Sequence, residues 1–350
     1  GLLAARGDDG RLTVYGAAKV VHFNHRLLAS LLGMDPGDVR LVETNCGGGF
    51  GPRGEFYPED YLIPYAALQV GRPVKWVEDR LEHFLATNHS REQKHKVTVG
   101  FDDDGRIYAL RDEIFLDQGG YIRTHGITVP GLTQAMLPGP YDFTDIEIVT
   151  NVVATNKTPV GTYRGPGRFE GTFVRERVID MVAERLGMDP TAVRAVNYIR
   201  PDQMPYTNGI SALGQVVEFD NGDYGSLLER AKEVMDWANF PARQAEARAN
   251  GRLIGLGFAS FVEKSGFGPW EFAEVEVLPD GTAVCKTGLA EVGQGIKTTL
   301  AQICADRLGI PYSKITVLHG DTDVVEKGNG AFATRGTVVG GSAAWHAAGL

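Results

Sequence analysis

The residues best suited to chemistry sit in glycine-rich loops. GGGFGPRGE, beginning at Gly47, contains Gly-x-Gly-x-x-Gly at Gly49, Gly51 and Gly54, between a strand-like stretch (Val39 to Glu43) and a helix-like one. Further on, Glu78 and Asp79 close another strand-like stretch, where a dinucleotide-binding fold places its ribose-binding acid. An NAD or FAD site on the Gly49–Gly54 loop is therefore one reading. Against it, Pro52 has no N–H and removes a donor from the turn that would face a pyrophosphate. A plain connecting turn is the other reading, and this motif by itself leaves both open.

Three more loops have the same character: GTYRGPGRFEG at Gly161, AEVGQGIKTTL at Ala290 and GNGAFATRGTVVGGSA at Gly328. Glycine turns that lead into helices expose backbone N–H groups, and the helix dipole favours an anion there. Four such loops point to a large, phosphate-bearing ligand. Gln294, between Gly293 and Gly295, offers an uncharged amide that both donates and accepts. Arg164 lies among Gly165, Pro166 and Gly167; its planar fork can hold an oxyanion or pair with a buried carboxylate.

The elements that must position these loops alternate along the chain. RLTVY reads as a strand, HFNHRLLASLLG as a helix closed by Gly33, DVRLVE as a strand, and Pro58 to Val70 as a helix ended by Gly71. HKVTVGFDDDGRIYALRDEIFL alternates polar and apolar residues about Asp103–Gly105 and predicts a hairpin, as does EFAEVEVLPDGTAVCKTG about Pro279–Gly281. DPTAVRAVNYI begins a helix with an Asp189 cap and Pro190 in its first turn. Asp223 to about Asn250 is helical, and GRLIGLGFASFVE opens a second β region, so a domain boundary is expected near 250. LLGMDPGDVRLVE and RLGIPYSKITVLHG echo one another: helix end, glycine, proline link, strand.

Net charge −9 without a basic run leaves no electrostatic footprint for nucleic acid. No apolar stretch is long enough for a membrane span, and the expectation is a cytoplasmic protein. Cys46, Cys285 and Cys304 are scattered and form no Cys-x-x-Cys pair, so this chain shows no pattern for a disulfide framework, zinc or an iron–sulfur cluster. Cys285 and Cys304 read as buried small residues, whereas Cys46 borders the first loop. The chain starts at Gly1 and stops inside GSAAWHAAGL, which suggests a piece of a longer polypeptide.

GGGFG, TYRGPGR, GQG before a threonine-bearing helix and GNGAFATRGTVVGGSA, in that order, resemble the molybdenum hydroxylases. The resemblance is to the molybdopterin-binding large subunit of xanthine dehydrogenases, aldehyde oxidases and aerobic carbon monoxide dehydrogenases, and runs from about Arg11 to Leu350. It implies an α+β chain with mixed-sheet molybdopterin-binding domains. The expected domains are 1–250, N-terminally incomplete, and 251–350, the C-terminally truncated start of a second. The implied activity is hydroxylation of an aldehyde, N-heterocycle or related carbonyl compound with oxygen from water. Implied cofactors are molybdenum-molybdopterin in its cytosine dinucleotide form, with iron–sulfur clusters and FAD on partner subunits in a dimer of heterotrimers.

By the same resemblance Gly49, Phe50 and Gly51 lie by the molybdenum centre, Arg164 lines its cavity, and Gln294, between Gly293 and Gly295, contacts pterin or metal. Phe50, Gly51, Arg164 and Gln294 would surround the metal without binding it directly. Thr334, Arg335, Gly340, Gly341 and Ser342 would hold the dinucleotide phosphates. The family's general-base glutamate is expected beyond Leu350, so no catalytic residue is assigned, Glu55 and Glu291 are not put in its place, and the 350 residues alone are expected to be inactive. A catalytically inactive truncated domain is the remaining alternative. Three positions depart from family patterns. Lys19 stands where many relatives have glutamine, as a cation near the metal or one that points to solvent. Gly165 replaces the cysteine of the copper-containing carbon monoxide dehydrogenases, which disfavours carbon monoxide oxidation. Gly54 and Gln134 lack the acid and arginine of purine-oxidising relatives.

Overall fold

A computed structural model describes residues 1–16 and 18–350. In chain order the elements are β1 (Leu2–Arg6), β2 (Leu12–Gly16), α1 (Val21–Leu32), β3 (Val39–Glu43), α2 (Pro58–Val70), β4 (Val74–Trp76), α3 (Arg80–Ala86), β5 (Gln93–Phe101), β6 (Ile107–Gly119), α4 (Thr128–Met136) and β7 (Asp145–Ala154). There follow α5 (Arg168–Leu186), α6 (Pro190–Asn197), β8 (Tyr206–Ala212), β9 (Gln215–Phe219), α7 (Tyr224–Met235), α8 (Phe240–Ala249), β10 (Ala273–Val277), β11 (Ala283–Thr287), α9 (Ile296–Leu308), β12 (Ile315–Leu318) and α10 (Ser342–Ala347). The structure is α+β with mixed sheets. It groups into two compact units: Gly1–Asn88 with Thr162–Arg164 and Lys264–Leu350, and His89–Gly161 with Gly165–Glu263.

The first unit contains the echoed sequence unit twice as structure. β1 and β2 pair antiparallel, α1 crosses over, and β3 returns parallel to β2. β10 and β11 likewise pair antiparallel, α9 crosses over, and β12 returns parallel to β11. In both cases a left-handed glycine, Gly33 or Gly309, ends the helix before the proline link. Alternation along β2 buries Leu12 and Val14 with Leu28, Ala29, Val39 and Leu41; β11 buries Cys285 with Leu300 and Cys304. Cys285 and Cys304 are thus core residues, as their type suggests. Arg40 bonded to Asp321 at 2.5 Å, and Arg11 to Asp323 at 2.7 Å, tie the two repeats together.

The second unit carries the same topology a third time: β5 and β6 antiparallel, α4, then β7 parallel to β6. Its core holds Ile107, Leu110, Tyr141, Ile179 and Val193. Asp189 caps α6 through the Thr191 N–H at 2.7 Å. Among described residues no strand forms between Asn250 and β10, so the expected opening of a β region at 251 gives instead an extended, unpaired segment.

The Rossmann reading of the first loop fails on this topology. β3 lies at one edge of the sheet β3-β2-β1-β4, and the strand after the next long helix, β4, lies at the other edge, whereas a dinucleotide fold needs neighbouring parallel strands. α2 begins only at Pro58, its N-terminus closed by the Tyr57 N–H bonded to Asp60 at 2.7 Å. Asp79 caps α3 through the Glu82 N–H, and Glu78 pairs with His83 at 2.7 Å. Both presumed ribose acids are occupied by local structure.

Candidate functional site

The loop after β3 reverses direction through backbone angles that only glycine adopts freely. Gly48 and Gly51 have φ of 123° and 112°, and Phe50 between them is also left-handed at 49°. A Cβ at Gly51 would lie 2.5 Å from the Thr162 carbonyl oxygen. That glycine admits the Thr162–Arg164 segment, whose Arg164 N–H donates to the Phe50 carbonyl at 2.7 Å. The result places the Arg164 guanidinium 4.6 Å from the centre of the Phe50 ring, both side chains exposed. In the same loop Glu55 is buried and accepts from the Thr162 N–H at 3.4 Å.

The loop before α9 packs on the same turn. A Cβ at Gly293 would meet the Cys46 carbonyl at 3.1 Å, and one at Gly49 would touch Val292 at 3.3 Å and Lys19 at 3.7 Å. Gln294 braces this loop: its Oε1 accepts from the Val292 N–H at 2.7 Å and its Nε2 donates to the Ala290 carbonyl at 2.8 Å. The amide is exposed and retains a second N–H and a second lone pair for a ligand.

The N-terminus of α9 behaves differently from the sequence expectation. Glu291 accepts from the Gly295 and Lys297 N–H groups, both at 3.0 Å, so the helix start is filled by the protein's own carboxylate. Burial pushes that carboxyl up, but the N–H donors outweigh it and hold it below the ordinary range. Nearby Glu43 is raised by burial although His319 bonds it at 2.9 Å. Lys19 is half-buried beside Gly49 rather than directed to open solvent; burial lowers its pKa and the Glu55 charge opposes this.

The fourth loop meets the same region through Gly330, where a Cβ would lie 2.5 Å from the Lys19 carbonyl, and through the Ala331 N–H bonded to that carbonyl at 3.0 Å. Ala333 and Thr334 are left-handed at φ 45° and 52°, and Thr334 is exposed. Arg335 is not positioned to hold a phosphate: it is fully buried, paired with Glu271, and donates to the Phe267, Gly330 and Trp270 carbonyls. Gly340 and Gly341 are likewise buried, because a Cβ would strike Leu289 at 2.2 Å or Ile303 at 2.8 Å, and they serve packing of the helical segment from Gly336. The Ser342 hydroxyl donates to the Val338 carbonyl at 2.5 Å, back along its own helix.

Three of the four loops, with Thr162–Arg164 from the remaining one, therefore converge in the first unit. The rest of that loop lies in the second unit, where Gly167 starts α5 with φ 73° and a Cβ would meet the Thr133 nitrogen at 2.3 Å. Sequence reasoning named Glu55 without giving it a role and missed Glu43, His319 and Glu271; for the two acids the one available signal was a carboxylate set beside apolar neighbours. The convergent surface fits a flat, anionic group with polar edges. It offers an exposed guanidinium over an aromatic face, an uncharged amide and glycine turns that a Cβ would fill, while Glu43, Glu55 and Glu291 are engaged by internal donors.

Comparison with known proteins agrees. Models of the molybdopterin cofactor-binding domain match residues 1–198 and 230–349. The chain is 38% identical to the 6-hydroxypseudooxynicotine dehydrogenase complex subunit gamma of Paenarthrobacter nicotinovorans, over 97% of this chain and 43% of that protein. It is 34% identical to the carbon monoxide dehydrogenase large chain of Hydrogenophaga pseudoflava, over 95% and 43%. The crystal structure of quinoline 2-oxidoreductase from Pseudomonas putida 86 superimposes with a TM-score of 0.93 at 33% identity, covering 99% of this chain and 45% of that one. The chain spans less than half the length of these relatives, and it belongs to the molybdopterin cofactor-binding family of the molybdenum hydroxylases.

Proposed function

We propose that the chain is the cofactor-binding part of a large subunit that hydroxylates an N-heterocycle, aldehyde or related carbonyl compound. The observation that carries this reading is the exposed Phe50–Arg164 pair on the same glycine turn against which the Gln294 loop packs. Gly49, Phe50, Gly51, Arg164, Gly293, Gln294, Gly295 and Thr334 would hold the molybdenum-pterin group, most simply its cytosine dinucleotide form. Arg335, Gly340, Gly341 and Ser342 would support it from behind by fixing the fourth loop. When bound, the group supplies a metal centre that accepts two electrons. Arg164 would balance its negative charge, Gln294 would orient it by a hydrogen bond, and Phe50 would shield one face from water.

Names among the relatives, a dehydrogenase complex subunit and a quinoline oxidoreductase, support an N-heterocyclic or carbonyl substrate and partner subunits. Iron–sulfur clusters and flavin on those partners, a dimer of heterotrimers and a cytoplasmic location belong to the same proposal. Gly165, without a thiolate, supports an organic substrate over carbon monoxide. Two family domains, 1–250 and 251–350, are part of the same reading. The test is metal and pterin analysis of the large subunit made in a host able to supply the cofactor, followed by turnover of quinoline, nicotine-type and aldehyde substrates in labelled water. Molybdenum with a pterin nucleotide and labelled product support the proposal. Absence of molybdenum, or cofactor without turnover of any panel member, overturns it.

A further inference from the structure

We propose that Leu253–Glu263 is an open sheet edge that receives one β-strand from a part of the large subunit outside residues 1–350. The inference rests on the preceding reading of this chain as part of such a subunit. It starts from a segment that is straight and ordered in pattern, yet forms no strand.

From Leu253 to Glu263 the exposure alternates without a break: odd-numbered residues are exposed and even-numbered ones half-buried. Alternation of period two is the mark of an extended chain with one face on a core. Phe258 supplies that contact, packing against the core of the second unit. Three of the even-numbered carbonyls are held on the side where a neighbouring strand would hold them, but by side chains. Ile254 accepts from the Gln244 amide at 3.0 Å, Phe258 from Arg194 at 2.9 Å and Ser260 from Arg175 at 2.6 Å. Both arginines are fully buried and share Glu176, so these donors are fixed.

Successive residues of an extended chain point their N–H and C=O groups to opposite edges. The odd-numbered groups of Leu253, Gly255, Gly257, Ala259 and Phe261 therefore face away from the arginines. Among the described residues, none of Leu253–Glu263 makes a backbone–backbone hydrogen bond. A Cβ built at Gly255 or Gly257 meets nothing within 4 Å. Leu253 and Phe261 are 87% and 68% exposed at the two ends. The segment has no lysine, proline or bulge of the kind that protects natural edges, and an unprotected edge of this length invites pairing.

The occupant that fits is an extended strand of the same polypeptide. The curated relatives are more than twice as long as the matched region, so material for it exists in proteins of this kind. Its backbone would pair with the odd-numbered groups. Gly255, Gly257 and Ala259 leave room for large apolar side chains on it, between Leu253 and Phe261.

Amide hydrogen exchange, resolved to single residues, tests this on the 350-residue chain and on the full-length large subunit. The amides of Leu253, Gly255, Gly257, Ala259 and Phe261 should exchange freely in the chain and slow by about 10²-fold or more in the full-length subunit. Gly257→Pro should leave the unfolding midpoint of the chain unchanged and lower that of the full-length subunit. Fast exchange in both proteins overturns the proposal. So does protection in the chain itself, whether it grows with concentration, which means a second copy covers the edge, or does not, which means the chain covers it. Molybdenum content is measured on the same samples: protected amides in a subunit without cofactor would sink the functional reading and leave the strand proposal standing.

Discussion

Arg335→Ala separates a structural arginine from a phosphate ligand. Arg335 and Glu271 are both fully buried in side chain, and the guanidinium also donates to Phe267 at 2.9 Å, Gly330 at 2.8 Å and Trp270 at 2.5 Å. Removing the arginine leaves the Glu271 charge inside with only the Phe272, Asn329 and Gly330 N–H groups, at 2.9, 3.1 and 3.2 Å. Breaking a buried pair in this way costs about 3–5 kcal/mol, a large part of the stability of a typical domain. The loss should be present in cofactor-free protein, because every partner is part of the chain. Urea unfolding of the apo form measures it as a fall in midpoint at constant slope. Arg335→Met with Glu271→Leu should recover the part of the loss that comes from the uncompensated charge and no more, since the backbone groups bonded to both side chains lose their partners. An apo Arg335→Ala protein within about 0.5 kcal/mol of the parent, destabilised only when cofactor is bound, would refute this account and restore the arginine as a phosphate ligand.

The other expectations follow from the same geometry. Arg164→Ala and Gln294→Ala should each weaken cofactor retention by about 1.5–3 kcal/mol, read as pterin content after dialysis, with the apo unfolding midpoint unchanged for Arg164→Ala. Gly51→Ala combines a forbidden φ with contact on the Thr162 carbonyl; a loss of about 1–3 kcal/mol in apo stability, with lost pterin, is expected. Asp60 is pushed up to about 7 by burial, so its raised folded pKa stabilises at low pH and that contribution disappears as pH rises from about 4 to about 7. His22 is lowered to about 4 by burial, so its contribution runs the other way, present above about 6.5 and lost as pH falls towards about 4. Asp60→Asn should therefore leave a stability that rises from pH 4 to 6.5, and His22→Gln one that falls; matching profiles in both variants would contradict the assignments.

Local elements were legible because their signals are local. Gly33, Gly71 and Gly309 end helices in the left-handed conformation that their position predicts, and Asp189 caps its helix. Even the weak echo between the two halves is a shared ββαβ topology. The Gly49–Gly54 motif stayed ambiguous because its meaning depends on the strand that follows the helix, and strand order in a sheet is not written in a loop. Leu253–Glu263 has the pattern of a strand but no pairing partner among the described residues, so pattern alone overcounted the sheet.

The site shows more sharply what a motif withholds. A glycine in a loop announces that something approaches its backbone, without saying what. At Gly51 the visitor is Thr162, 111 residues away in sequence; at Gly340 it is Leu289. Arginine next to glycine is equally ambiguous. Arg164 stands exposed over Phe50, while Arg335 is buried on Glu271, and both come from segments of similar composition. The discriminating residue is the acid: Glu271 lies between Trp270 and Phe272, where burial would be prohibitive without a cation, and Arg335 is that cation. A buried carboxylate must be matched before any ligand is considered, so each buried acid withdraws basic residues from the pool that can face solvent. Glu271, between two aromatic residues, withdraws Arg335, and buried Glu176 withdraws both Arg175 and Arg194, whereas Arg164 is exposed beside the glycine turns.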